Sequence, residues 1–320
     1  MTHDSEKVQK RRPRRRKTPY IPNLAEFSFR PSHDWSREEA SRLYDARLQS
    51  SQYLPIDEVL FEDCISGMKT LPPDSIDLVI ADPPFGISFD GKSSVYNRDE
   101  TLVVEGYKEA TGSYDQFTQE WIAEIPRLMK PESSVYIFSG WTNLGSVLNA
   151  ADRAGLHLLN HIIWHYPFGV YTKRRFVTSH YHILLLVKNP KKYFFNKIEN
   201  YPQDVWVIKR MYQAGRSKNS TRLPLDVVSR CIDFSSRPGD VVLDPFMGNG
   251  TTALAAKANF RHFVGFEVNR RLKHIIATEL AHVSAGQDYT PYTDRLPSLE
   301  ELAERYPRAY REYLKRQEEK

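Results

Sequence analysis

Twice along this 320-residue chain a short apolar run stops at an aspartate followed by proline, and these two junctions limit the fold more than any other feature. Ile76 to Ile80 leads into Ala81-Asp82-Pro83-Pro84-Phe85-Gly86. Val241 to Leu243 leads into Asp244-Pro245-Phe246-Met247-Gly248-Asn249-Gly250-Thr251-Thr252. A short, largely β-branched run closed by Pro and Gly reads as a buried strand ending in a tight turn. In an open α/β sheet, ligands bind outside the carboxyl ends of the strands. Two such turns predict two ligands, or two halves of one reaction.

Strand and helix patterns alternate from about residue 56 to residue 284. Val59 to Glu62, Ile76 to Ala81, Ser134 to Phe138, Leu158 to Trp164, Tyr181 to Val187, Asp240 to Leu243 and His262 to Phe266 read as seven strands. Gln116 to Met129, Asn143 to Ala154, Leu223 to Phe234, Thr251 to Ala258 and a segment reaching about Val283 read as helices. This alternation predicts a doubly wound, Rossmann-like α/β domain over residues 56–285. Residues 86–115 lack periodicity and follow the first turn directly, which marks a substrate-gating loop. Ser298-Leu299-Glu300-Glu301 is a capping-box start, predicting a peripheral helix to about Arg316 within a tail at 286–320.

Charge is uneven along the chain. Residues 1–20 carry eight Lys and Arg against two acids, and the other 300 sum to −1. The basic excess is therefore an arm, expected to be disordered over residues 1–22. It reads either as a salt-sensitive phosphate tether or as a solvated tail. Residues 171–222 form a second basic stretch, with twelve Lys and Arg against Glu199 and Asp204 and nine aromatics interleaved. Cations track phosphates, and aromatics stack on bases or pack a core. Lys188, Lys191, Lys192, Lys209, Arg210, Arg216 and Lys218 read as a nucleic-acid-facing (DNA-facing) set, with a generic solvated face as the alternative.

The two cysteines, Cys64 and Cys231, argue against a disulfide scaffold or zinc cluster, and no metal is expected. No apolar stretch is long enough to cross a bilayer, and the charged N-terminus has no signal-peptide apolar region. The expected setting is a reducing cytoplasm, with no membrane partner.

The second turn opens a helix at Thr251. Its glycines let the backbone approach a ligand, and the helix start offers free N–H groups and positive potential to a carboxylate. Glu267 closes the next strand, 17 residues beyond Gly250, where an acid can accept hydrogen bonds from ribose hydroxyls. Taken alone, the Gly-x-Gly also fits a dehydrogenase turn, with Ala253 at the third glycine position, or a plain tight connection. The Asp-Pro-Pro turn alone also fits an incidental cap.

Together the two turns resemble the catalytic and cofactor motifs of the β-class S-adenosylmethionine-dependent DNA amino-methyltransferases. That class has a circularly permuted order, catalytic half first, and here Asp82 precedes Asp244 by 162 residues. The resemblance covers residues 59–285 and includes Phe61-Glu62-Asp63-Cys64, Arg127-Leu128-Met129-Lys130-Pro131 and Ser235-Ser236-Arg237-Pro238-Gly239-Asp240. It implies methyl transfer from S-adenosylmethionine to an exocyclic amine of duplex DNA. Asp82, Pro83, Pro84 and Phe85 would be catalytic. Asp63, Cys64, Asp244, Pro245, Phe246, Gly248, Gly250, Thr251, Glu267 and Asn269 would hold the cofactor, with Asp82 at its edge.

The amine is a weak nucleophile because its lone pair is delocalised into the ring. The Asp82 carboxylate and Pro83 carbonyl supply two convergent acceptors, and Phe85 a ring to stack on. A base within a duplex must be flipped out to reach them. The family places target recognition at a position matching 189–217. Its "HPTQKP" segment is here Asn219-Ser220-Thr221-Arg222-Leu223-Pro224, and its "hE" is here His180-Tyr181-His182, histidines that read as core or surface. An acidic first position favours adenine N6 in the family, with cytosine N4 the first alternative. An RNA methyltransferase is disfavoured by motif order, and an inactive DNA-binding protein by the intact motifs. The resemblance also admits a homodimer and a cognate restriction endonuclease.

Overall fold

The computed structural model describes residues 29–49, 53–84, 114–167, 169, 171–174, 176–209, 222–295 and 299–319. The basic arm, Phe85, nearly all of the 86–115 loop and Arg210, Arg216 and Lys218 lie outside the described residues. The chain divides into a main unit, residues 30–295, and a second that includes the C-terminal helices.

The main unit is built on one eight-stranded sheet. The strands are β1 (Glu58–Leu60), β2 (Ile76–Ala81), β3 (Met129–Ser139), β4 (His157–His165), β5 (His180–Val187), β6 (Val205–Val207), β7 (Val241–Asp244) and β8 (His262–Phe266). Their spatial order is β1-β8-β7-β2-β3-β5-β4-β6. Every pairing is parallel except those of β5, which runs antiparallel to β3 and β4. The sequence pattern gives seven strands; the eighth, β6, is a three-residue edge strand whose exposed-buried-exposed pattern is too short to register as a period.

Helices are α1 (Arg37–Gln49), α2 (Cys64–Thr70), α3 (Tyr114–Leu128), α4 (Leu144–Arg153), α5 (Leu225–Ser235), α6 (Thr251–Ala258), α7 (Leu272–Ala281) and α8 (Tyr292–Arg295). They cover both faces. Val79, Ala81, Val135 and Ile137 point into one core with Met68 of α2, Trp121 and Ile125 of α3, and Val147 of α4. Leu78, Ile80, Tyr136 and Phe138 point into the other with Val228 and Ile232 of α5, Ala253 of α6 and Ile276 of α7. Successive strand residues face opposite sides, so a strand buried on both faces must be apolar throughout, as β2 nearly is. Helix ends are satisfied by specific donors: the Arg127 guanidinium donates to Met68 O at 2.7 Å and Leu71 O at 2.8 Å, closing α2.

Sequence periodicity leaves α1 unassigned, because only Ala40 and Tyr44 of its thirteen residues are buried. It is held instead by a polar pin. His262 shares hydrogen bonds with Asp57 Oδ2 at 2.8 Å and Tyr44 O at 2.9 Å, and its ring stacks on Tyr44.

In the second unit the expected single C-terminal helix is two, α9 (Leu299–Arg305) and α10 (Pro307–Glu318). Pro307 lacks an N–H and disfavours helical geometry at Tyr306, so the first helix stops and the proline starts the second. No helix among the described residues is long and apolar enough to cross a membrane.

Candidate active site

Four acids stand at the carboxyl ends of four neighbouring parallel strands: Asp63 after β1, Glu267 after β8, Asp244 ending β7 and Asp82 after β2. The chain leaves β2 toward β3 and leaves β7 toward β8, so the order reverses between β2 and β7. Asp82 and Asp244 flank that switch point, where open α/β sheets bind ligands. From β1 to β2 the row spans three strand spacings, roughly 14 Å.

The glycine turn between β7 and α6 has the expected backbone. Gly248 and Gly250 adopt φ of +51° and +82°, the left-handed region that disfavours residues with a Cβ. The Asp244 carboxylate accepts the Phe246 N–H at 2.9 Å and is 5% exposed. Glu267, 6% exposed, braces the turn from below: Oε2 accepts the Gly248 N–H at 2.8 Å and Oε1 accepts the Asn269 N–H at 2.7 Å. Thr251 opens α6. Pro245 is buried beside Asp244, while Phe246 is partly exposed.

Asp63 is exposed and caps α2, its Oδ1 accepting the Ser66 N–H at 2.9 Å. The Cys64 thiol is pushed up to about 12 by burial and by the Asp63 charge, so it is a neutral packing group rather than a nucleophile. Asp82 and Pro84 are partly exposed and Pro83 is buried.

A wall of aromatics joins the two halves. Phe246 meets Trp121 edge to face at 5.1 Å and Phe117 at 6.0 Å; Phe117 in turn meets Tyr114 at 6.5 Å. Helical periodicity identifies Phe117 and Trp121 as one apolar face, but not that Phe246 leans on it. Burial and the Asp82 charge raise the Tyr114 phenol above its ordinary value.

Arg222 is a residue that sequence reasoning passes over. Its Nε donates to Thr251 Oγ1 at 3.0 Å, and its other nitrogens pair with the Glu279 carboxylate, at 2.9 Å and 2.6 Å. The signal was a cation inside Thr221-Arg222-Leu223-Pro224, where the family motif departs. On the neighbouring strands β4 and β5, His161 Nε2 and His182 Nδ1 share a hydrogen bond of 2.7 Å.

The expected DNA-facing cations are divided by the antiparallel course of β5. Val187 pairs with Ser134 and Leu158 lies beside Leu186, at the end of the sheet away from Asp82. Lys188, Lys191 and Lys192 follow there. Lys188 Nζ bonds Asp74 Oδ1 at 3.0 Å and Met129 O at 2.8 Å, and Lys192 approaches Glu132. Of the described members, Lys209 alone follows a strand, β6, that ends on the Asp82 side.

Burial holds the Asp244 carboxyl at about 7, against an ordinary 3.8. An unfolded chain ionises this group near pH 4, while the folded protein keeps the proton to about 7, so stability falls across that window and then levels. At about 1.4 kcal/mol per pKa unit the loss is ~4 kcal/mol at most. Asp244→Asn removes this term but keeps an acceptor for Phe246. Its melting temperature relative to wild type is expected to climb from pH 4 to pH 7 and hold steady above; a pH-independent difference would disprove the buried proton.

The profile of the DNA methylase family for N6 and N4 methyltransferases matches residues 76–278. The chain is 31% identical over 244 residues to the type II methyltransferase M.HinfI of Haemophilus influenzae, covering 70% of this chain and 67% of that protein. It is 29% identical over 231 residues to the type II methyltransferase M.HpaI of Haemophilus parainfluenzae, covering 66% and 70%. The fold is similar to that of the M1.HpyAVI–SAM complex, with a TM-score of 0.54 at 24% identity over 70% of this chain and 98% of that one. It is also similar to PvuII DNA methyltransferase, described as cytosine-N4-specific, with a TM-score of 0.55 at 16% identity over 73% and 95%. Both motif turns fall within the matched span, and the chain belongs to the N6/N4 DNA methylase family.

Proposed function

We propose that this chain is a site-specific DNA methyltransferase that uses S-adenosylmethionine to methylate adenine N6 in duplex DNA. The observation that carries the reading is the placement of Asp82 and Asp244 on either side of the switch point, each at the end of its own strand. One position suits a cofactor and the other an acceptor base. The donor set fits the cofactor. The left-handed glycines shape the turn, the start of α6 offers N–H groups to the methionine carboxylate, and Glu267 offers acceptors to ribose hydroxyls. Asp63 stands at the far end of the row for the adenine, and Phe246 lies between.

When bound, S-adenosylmethionine supplies an electrophilic methyl group. The protein's own part is to orient the amine. The Asp82 carboxylate and Pro83 carbonyl accept its two N–H bonds, directing the nitrogen lone pair away from them and toward the cofactor side of the cleft. Neither Pro83 nor Pro84 carries an N–H, so the turn presents acceptors without competing donors. The Asp82 carboxylate is also the group placed to hold the proton that the amine must shed. An acid rather than serine at the head of the motif supports adenine over cytosine.

The relatives named above are type II methyltransferases, which supports duplex DNA as the substrate and a cognate restriction endonuclease as a partner. The test is transfer of labelled methyl to unmethylated duplex DNA and to RNA, followed by nucleoside chromatography. Label in N6-methyladenine from DNA is the expected outcome. Label in N4-methylcytosine would correct the base and keep the fold and site; label confined to RNA would overturn the reading.

A further inference from the structure

The connection between β4 and β5 leaves the sheet at His165 and returns at His180. Its foot is closed: Tyr166 N–H donates to Ser179 O at 2.9 Å, and His165 Nδ1 lies 3.1 Å from the same carbonyl. Above the foot it is pinched at Gly169. A Cβ there would lie 2.2 Å from Val177 Cγ1 and 2.5 Å from Thr178 O, so only glycine lets the two arms meet. Tyr166 and Tyr181, at the foot, pack on Trp164 at 5.5 Å and 5.6 Å. The tip is different. Tyr171 is 79% exposed and Phe176 99% exposed, with Lys173 and Arg174 exposed between them.

The finger stands on the Asp82 end of the sheet. Ala81 pairs with Ile137, Ser139 with His182, and Trp164 with Tyr181, which brings the foot level with the catalytic turn. The strand order β2-β3-β5-β4 sets it two to three strand spacings from Asp82, roughly 10–14 Å. That is about the width of one major groove, ~12 Å. Trp141, 66% exposed, follows β3 between the two.

We propose that the described residues of this finger are a DNA-contacting element: Lys173 and Arg174 hold phosphates, and Tyr171 and Phe176 stack on bases beside the extruded one. The proposal rests on the DNA methyltransferase reading and is distinct from the 189–217 segment. Three observations support it together. The rings are exposed where a pinned backbone could have tucked them in, two exposed cations lie between them, and the tip rises on the face that must receive DNA. Extrusion of a base opens an unstacked gap that a ring can fill, and cations beside it complement the backbone charge.

The full chain is tested with two double variants, each first checked for wild-type cofactor binding. Lys173→Ala/Arg174→Ala is expected to weaken binding to a random-sequence 24-bp duplex about tenfold and to flatten its salt dependence by one to two units of slope. Tyr171→Ala/Phe176→Ala is expected to lower the methylation rate on a duplex bearing the mapped target at least about tenfold, with recovery when the target base is mispaired and already loosened. Lys191→Ala/Lys192→Ala, at the opposite end of the sheet, is the contrast. Binding that falls there and not at Lys173/Arg174 overturns the proposal, as does a methylation loss that mispairing does not recover. A wild-type protein that binds duplex through Lys173 and Arg174 yet methylates no DNA would overturn the enzymatic reading and leave the phosphate contact standing.

Discussion

Asp82→Ala is expected to lower methyl transfer by roughly 10²–10⁴-fold, the range typical of a lost acid–base group. Binding of S-adenosylmethionine is expected to stay within a few-fold of wild type, because the groups proposed to hold it lie on the other strands. The separation follows from the topology. Asp82 sits one strand from Asp244 and on the far side of the switch point from the glycine turn. Alanine removes the acceptor and the proton-holding group but leaves Pro83 and the buried strand beneath it intact. Asp82→Asn should lose less, since its amide oxygen still accepts one N–H, although its NH2 now opposes the amine. The ordering wild type, Asn, Ala in single-turnover rate is the signature of an acceptor. Equal rates for Asp82→Ala and wild type would remove Asp82 from the chemistry, and a parallel collapse of cofactor affinity would make it a binding residue instead.

Strands buried on both faces were the legible part of this fold. Ile76–Ala81 and His262–Phe266 coincide with their sequence-derived limits, as does the helix Thr251–Ala258, because apolar runs between turn residues leave few other assignments. The placement of the candidate site was legible for the same reason: both motifs sit where such strands stop. What escaped was held by something other than periodicity. Helix α1 is fixed by the His262–Asp57–Tyr44 pin, a contact across more than 200 residues that no local pattern encodes. The composition of the basic stretch carries no direction, so it does not reveal that the cations after β5 stand at the end of the sheet away from Asp82. The clue was the spacing. Residues 166–179 separate β4 from β5, with no helix among the described residues, and a connection of that kind favours antiparallel pairing, which sends Lys188 to the far end.

Glu267→Ala is expected to weaken S-adenosylmethionine binding by roughly 10–100-fold, in line with the loss of hydrogen bonds to a charged group. Two causes act together. The carboxylate accepts the N–H groups of Gly248 and Asn269, so it sets the shape of the turn. An ionised carboxylate has about four lone-pair sites, which leaves capacity for ribose hydroxyls after both backbone donors are served. Burial raises its proton affinity, and the two backbone N–H donors oppose that shift and favour the ionised form. Glu267→Gln can accept through only one oxygen and should fall between wild type and alanine. A double-mutant cycle separates the brace from the ribose contact. Calorimetric titration would use S-adenosylhomocysteine and its analogue without ribose 2′- and 3′-hydroxyls. If Glu267 holds those hydroxyls, wild type loses affinity for the analogue and Glu267→Ala loses little more. If the alanine variant discriminates between the two ligands as strongly as wild type, Glu267 shapes the turn alone, and the ribose must be held by another acceptor in the row.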